Sequence, residues 1–260
     1  MEVIPDLIGE RGGGVRDLRQ DLVHNHLLAT LEPDDFARLQ PDLLRVRTHP
    51  NQTLITPNEP VLRVYFPETG YASVIAGTDR SRIEVGVIGP EGLIGATPVL
   101  LGSDRTPHRT FVQVPGEMLA IDTTRLSTAA EASLSLRTCL LRFVQVQLIQ
   151  IGQTAYGHAT LPLQIRLARW ILMSHDRVGG DEMPVTHAFL AQTLGSQRSG
   201  ATLSVQALEA QRMITARRGR ITVRDRKALE ALAASSYGVP EGEYHRLIPQ
   251  GPDPERGAGI

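Results

Sequence analysis

A change of hydrophobic period near residue 130 constrains this chain more than any other feature. Between Thr53 and Ile121 the period is two: Ile83, Val85 and Val87 alternate with Arg82, Glu84 and Gly86, and Thr110, Val112 and Val114 alternate with Phe111 and Gln113. Glycines break it at Gly70, Gly77, Gly86, Gly89, Gly92, Gly95, Gly102 and Gly116. Period two sends successive side chains to opposite faces of a sheet, so turn signals at roughly ten-residue spacing predict about eight short antiparallel strands in a small barrel or double sheet. No strand-helix-strand alternation is present, which excludes a parallel sheet. From Ser133 to His158 the period is helical and no proline interrupts it.

Within that helix Leu134, Leu141 and Leu148 lie seven apart, and Val144 and Ile151 fall at the offset heptad position. This is the pattern of a coiled-coil seam. Leu136, Leu140 and Phe143 widen the apolar arc to about half the circumference, too wide for one packing surface. The helix therefore needs two partners: its own β-domain on one side and, through Leu134, Leu141, Val144, Leu148 and Ile151, a second copy of the chain on the other. A helix buried inside a monomer is the alternative.

Flanking elements follow the same rules. Leu27, Leu28 and Leu31, then Phe36, Leu39 and Leu43 after Pro33, predict two short helices ahead of the sheet. After Pro162 a helix runs from Leu163 to His175 and ends at Gly179-Gly180. Thr186 to Leu194, a tight point at Gly195, a helix from Arg198 to Ala210 and an alternating tail from Gly219 to Val223 complete the pattern. With 260 residues the chain exceeds the usual ~100 to 150 of one domain, so two domains are expected. The Gly- and Pro-rich ends, 1–20 and 237–260, read as tails.

Composition removes several function classes. The longest apolar runs are far shorter than the ~20 residues of a membrane-spanning helix, and residues 1–19 do not look like a signal peptide; a soluble, cytoplasmic protein with no membrane partner is expected. Cys139 is the only cysteine, which excludes an intrachain disulfide, a cysteine zinc finger and a four-cysteine iron-sulfur cluster within one chain. His24, His26, His108, His158, His175 and His187 are scattered and read as surface or capping residues, with no metal site. Trp170 reads as core, and the pairs Asp34-Asp35 and Asp181-Glu182 as helix or loop starts. No nucleophile elbow, P-loop or zinc-protease signature is present, so an enzyme is not expected and no cofactor is assigned.

The net charge of −1 hides segregation. Between residues 198 and 227 Arg198, Arg212, Arg217, Arg218, Arg220, Arg224, Arg226 and Lys227 face only Glu209 and Asp225, which makes a candidate phosphate-facing surface. Thr186 can cap the helix it precedes, and Gly195 permits a sharp turn. In the next helix Ala201, Val205 and Leu208 fall on one side and face inward, leaving Gln197, Arg198, Ser199, Thr202, Leu203 and Gln206 outward. A leucine aimed at solvent suits a major groove, where it can touch a thymine methyl while Ser199 and Thr202 reach base edges. Arg217, Arg218 and Arg220, around a tight turn, read as a wing on the sugar-phosphate backbone. Double-stranded DNA is the expected partner. A small-molecule sensor whose C-terminal helices contact a protein is the alternative, and the basic wing is the discriminating feature.

The order of elements resembles the Crp/Fnr family of bacterial transcription regulators. The resemblance spans about residues 22 to 236 and rests on Gly89-Pro90-Glu91-Gly92-Leu93-Ile94-Gly95, on Leu167-Ala168-Arg169-Trp170-Ile171-Leu172, and on Pro184-Val185-Thr186 to Gly195. It implies an α+β architecture: a jelly-roll-like β-roll similar to cyclic-nucleotide-binding domains over 21–131, a dimerisation helix over 132–160 and a winged helix-turn-helix over 161–236. It also implies base reading by Arg198, Ser199 and Leu203, a phosphate contact at Thr186, and RNA polymerase as a further partner. Family members that bind cyclic AMP carry Gly-Glu-Leu where this chain has Gly95-Ala96-Thr97, so the ribose anchor is missing and cyclic AMP is not expected. Arg109-Thr110 survive, leaving Gly95, Arg109 and Thr110 as a candidate site for another anionic effector. Redox-sensing cysteines have no counterparts. Ser199 and Leu203 replace a glutamate and an arginine of the best-known members, so the operator should differ.

Overall fold

The computed structural model of the chain describes residues 18–78 and 81–248. Two short helices, α1 (His26–Ala29) and α2 (Pro33–Leu39), come first. Asn25 caps α1, its Oδ1 accepting from Leu28 N at 3.2 Å, and its Nδ2 donates to the carbonyls of Pro67 and Gly92, which fastens this end to the sheets behind it.

Seven strands follow: β1 (Leu44–Arg47), β2 (Thr53–Ile55), β3 (Arg63–Pro67), β4 (Tyr71–Thr78), β5 (Ser81–Ile88), β6 (Arg109–Val114) and β7 (Glu117–Asp122), with the short helix α3 (Ala96–Leu100) between β5 and β6. They form two antiparallel sheets, in the orders β1-β7-β3 and β2-β6-β4-β5. Val64, Phe66, Ala72, Val112, Leu119 and Ile121 supply the facing apolar surfaces of this double sheet and are all fully or nearly fully buried. At Gly116, where β6 turns into β7, a side chain would sit 2.2 Å from the Thr69 carbonyl oxygen, so only glycine fits.

Helix α4 (Thr123–Ala132) leads into α5 (Leu134–Thr160), which Ser133 caps through Leu136 N. Leu136, Leu140, Phe143, Val144 and Val146 enter the core of the β-domain. Leu134 is 81% exposed and Leu148 46% exposed, with Leu141 and Ile151 half buried. Val144, placed in the dimer seam by the heptad, is 3% exposed within the single chain. It lies about 60° round the helix from Leu141, and that flank is taken by the β-domain. Leu134, Leu141 and Leu148 remain outward on one stripe, which continues through Gly152, Ala155 and Ala159 and carries one charged side chain, the exposed Arg137 near its start.

The C-terminal domain contains α6 (Leu163–His175), β8 (Glu182–Pro184), α7 (His187–Thr193), α8 (Arg198–Ala210), β9 (Ile214–Arg217), β10 (Arg220–Val223) and α9 (Arg226–Ala233). Its strands pair in the order β8-β10-β9, and its own core contains Leu167, Ile171, Leu190, Val205, Leu208, Ile221 and Leu229. This domain rests on the β2-β6-β4-β5 sheet: Phe189 packs edge-on against Phe111 and Trp170, and Tyr71 Oη donates to Ser174 Oγ at 3.1 Å.

Both expected tails begin earlier or later than the composition implies. Residues 1–17 and 249–260 lie outside the described residues. Leu18 is buried in the β-domain core and Gln20 donates to the Leu28 and Leu31 carbonyls, so residues 18–20 belong to the fold and not to the expected tail. Residues 239–247 form a tenth helix, α10 (Val239–Leu247), begun by Gly238 in a left-handed conformation and a Glu241 side chain that accepts from Gly238 N. Tyr244 and Ile248 bury themselves against α5. Proline and glycine at a helix start, Val239-Pro240 after Gly238, look like loop composition in sequence, which hid this helix.

Candidate nucleic-acid interface

Thr186 Oγ1 accepts from Phe189 N at 3.2 Å and satisfies one of the free amides at the start of α7. Gly195, with φ of +56°, makes the turn between α7 and α8, and Arg166 holds that turn by donating to the Leu194 carbonyl at 2.9 Å. Ala201, Val205 and Leu208 on α8 are buried against Leu190, Ala191 and Leu194. The inward face read from spacing is therefore the packed one.

The opposite face of α8 presents Gln197, Arg198, Ser199, Leu203 and Gln206 to solvent, with Leu203 66% exposed. Burial of Ala201 and Val205 fixes this orientation, because residues four apart share a face. Thr202 has a different duty. Its hydroxyl donates to the Arg198 carbonyl of its own helix at 2.9 Å, so its one proton is spent inside α8 rather than reaching a base, and its oxygen 3.0 Å from His187 Nδ1 ties α7 to α8. His187 was not legible as part of this site, because neither spacing nor composition distinguishes a helix-linking histidine from a surface one.

Arg217 and Arg220 face each other across β9 and β10, joined by Arg218 and Gly219 with φ of +48° and +76°. Two consecutive positive φ values define the two-residue turn whose twist matches a hairpin, so the wing is a real β-hairpin with Arg217 and Arg218 exposed at its tip. Arg220 instead forms an ion pair with Glu182 of β8. Arg226 is bound to Asp176 at 2.7 Å, Glu230 and Tyr237, on the side of the domain that meets α6. The basic stretch thus includes residues that face outward, among them Arg198, Arg217 and Arg218, and residues that hold the domain together, Arg220 and Arg226.

The proposed anionic site on the β-roll is not brought together in the same way. Gly95 has φ of +87° and lies against Val61, Val64 and Ile55, and the buried Thr110 pairs in register with Ile55. Arg109 is one residue along the same strand, so its side chain leaves the other face of the sheet. There it donates to Thr53 Oγ1 at 2.8 and 3.1 Å and lies 5.1 Å from the centre of the Phe111 ring, the ring that contacts Phe189 of the C-terminal domain. Burial and the nearby Arg82 lower its pKa from the usual arginine value, an environment without a carboxylate to replace. Strand alternation thus separates Arg109 from Gly95 and Thr110.

Among the described residues no helix is long and apolar enough to cross a membrane. A family model described as a Crp-like helix-turn-helix domain matches residues 165–232. No curated protein sequence matches the chain. Solved structures do. A protein assigned to the crp/fnr family of transcriptional regulators from Eubacterium rectale aligns at a TM-score of 0.64 and 16% identity, covering 80% of this chain and 97% of its own. A CRP/FNR family transcriptional regulator from Thermus thermophilus aligns at 0.61 and 20% identity, covering 74% and 100%. The c-di-GMP responsive global regulator CLP of Xanthomonas campestris aligns at 0.60 and 19% identity, covering 74% and 99%. The chain therefore carries a Crp-like helix-turn-helix domain on the fold of the Crp/Fnr transcription regulators.

Proposed function

We propose that the protein is a sequence-specific transcription regulator that binds an inverted-repeat operator as a homodimer, with α8 in the major groove and the β9-β10 hairpin on the backbone. One observation carries the reading: a leucine two-thirds exposed, Leu203, stands at the centre of the outward face of α8 beside the exposed Arg198, with Arg217 and Arg218 on the adjoining wing. An exposed leucine on a surface helix gains nothing in water, but a thymine methyl gives it an apolar partner. The dimer is supported by the apolar outward stripe of α5 through Leu134, Leu141 and Leu148, which one chain leaves partly open to solvent. RNA polymerase is the partner on which such a DNA-bound dimer would act.

Selection from a pool of random duplexes followed by a retardation assay tests this reading. Enrichment of a two-fold symmetric sequence supports it. Failure to retard any duplex, with the protein folded, turns the C-terminal helices into a protein-binding surface instead.

A further inference from the structure

A cavity of about 310 Å³ lies where the sensor, α5, the C-terminal domain and α10 meet. Its volume is at the lower end of the range for small-molecule sites. The apolar walls come from Val87 and Ile88 at the end of β5 and from Phe143 and Val146 on α5. Helix α10 closes one side, fixed by burial of Tyr244 and by Arg142 donating to the Leu247 carbonyl.

The polar groups of this cavity are specific. Gln147 and Gln150, one helical turn apart on α5, both line it and are 8% and 5% exposed. Gln147 Oε1 accepts from Thr97 Oγ1 at 2.5 Å, and Gln150 Oε1 accepts from Val87 N at 2.8 Å. With the oxygens engaged, each side chain keeps its Nε2 donors without a hydrogen-bond partner among the described residues. Tyr244 also lines the cavity, and its buried hydroxyl has no partner. A buried hydroxyl is normally satisfied, so Tyr244 Oη without a partner among the described residues, beside the two amides on the same lining, marks a place for a complementary molecule.

Charge decides the class of that molecule. The two cations on the lining are already neutralised: Arg177 by Glu91 at 2.7 Å and Arg226 by Asp176 at 2.7 Å. Glu241 adds a further carboxylate to the lining. An anion would meet carboxylates and no free cation. The donors that remain are the two amides and the Tyr244 hydroxyl, with the exposed His26 and His245 also on the lining.

We propose that this cavity is a binding site for an uncharged amphipathic small molecule with an apolar body and an acceptor oxygen directed at Gln147 and Gln150. Because Asp176, Arg226 and Tyr237 belong to the C-terminal domain while Val87 and Ile88 belong to the sensor, the occupant touches both. Its binding is coupled to their relative placement and, resting here on the DNA-binding reading, to operator affinity, with equal coupling in both directions.

The neutral fluorescent ketone 6-propionyl-2-dimethylaminonaphthalene is a suitable probe, since its emission moves to the blue in apolar surroundings. Titrating the full chain without DNA should give a saturable blue shift at one site per chain. Val146→Phe, which fills the cavity, and His26→Trp, which blocks its exposed rim without touching the core, should each weaken the probe about tenfold or more with the thermal melt retained. Gln147→Leu should weaken it several-fold and shift its bound emission further to the blue, because the ketone loses a donor. Absence of a saturable shift in the wild type, or unchanged binding in both His26→Trp and Val146→Phe, overturns the site. Equal competition by the anionic 1-anilinonaphthalene-8-sulfonate overturns the uncharged class. A chain that binds the probe but retards no duplex loses the DNA-binding reading and keeps the site.

Discussion

Trp170 Nε1 donates to Glu84 Oε1 at 2.8 Å, joining helix α6 of the C-terminal domain to strand β5 of the β-domain. Glu84 is 4% exposed, with the Ser73 hydroxyl beside its carboxyl group. Burial raises the Glu84 pKa to about 7, with the neighbouring Ser73 hydroxyl, the Trp170 hydrogen bond and the charges of Arg169 and Arg177 pulling it part of the way back. The contact between the two domains therefore includes a carboxyl group whose charge changes near neutrality. Gly195 also lies on this contact: a side chain there would sit 3.1 Å from Ile83 of the same strand, so the turn of the helix-turn-helix and the β-domain are packed together.

The first prediction is a pH dependence of stability. An unfolded glutamate titrates near ~4.3, and the native group holds its proton up to about 7. Between those values the native state binds more protons than the unfolded state, so stability falls as pH rises through the window and levels off above it. Glu84→Gln removes this contribution and should exceed the wild type near pH ~8 by on the order of 1 to 3 kcal/mol while differing little near pH ~5. Urea melts at the two pH values check this; parallel losses in both proteins exclude Glu84 as the source.

A second prediction separates the two sides of α5. Leu148→Asp places a charge in the exposed apolar stripe, which costs several kcal/mol only where that stripe is covered by a second chain. Sedimentation should show the wild type as a dimer and the variant as a monomer of unchanged helicity. Val144→Ala should instead cost about 2 kcal/mol of folding stability, since Val144 packs inside the chain, and leave the dimer in place. A wild type that sediments as a monomer at micromolar concentration removes the dimer altogether.

Much of this architecture is legible in the sequence because it depends on period. Alternation through Ile83, Val85 and Val87 gives a strand, and Ala201, Val205 and Leu208 give the buried face of α8 whatever they pack against. What periodicity does not give is which element lies across from which. It could not show that Val144 belongs to the β-domain, that Glu84 meets Trp170 across 86 positions, or that Asp35, which reads as a helix start, accepts 2.5 Å hydrogen bonds from Ser133 and Ser135. Pairing of charges is equally hidden. Arg198 and Arg220 look alike in a basic stretch, yet only Arg220 has a carboxylate opposite it, from a strand nearly forty residues earlier.

The third prediction concerns α10, which composition conceals. Tyr244 is 9% exposed and lies in the same core as Phe143 and Val146. Tyr244→Ala should cost about 3 to 5 kcal/mol in a denaturant melt, the range for removing a buried aromatic ring. A surface-like cost below ~0.5 kcal/mol would mean that α10 contributes nothing to the fold.

The last prediction concerns DNA and depends on the separation of the arginines into exposed and paired. If the dimer axis relates two α8 helices, they enter successive major grooves, and the half-sites should be centred roughly 34 Å apart, one helical turn. Arg198 and Leu203 should then read bases, each specific contact contributing about 1 to 3 kcal/mol against the wrong base pair. Leu203→Ala should relax the preference at one position and leave the salt dependence nearly unchanged, since leucine releases no counterion. Arg217→Ala and Arg218→Ala should weaken all sequences alike and flatten the salt dependence by about one counterion each. Arg220→Ala should do less than either, because Glu182 already neutralises that guanidinium. Selection from random duplexes, followed by titration of each variant at several salt concentrations, resolves the three classes. An altered selected sequence in the wing variants, with Leu203→Ala selecting the wild-type site, would reverse the assignment of base and phosphate contacts.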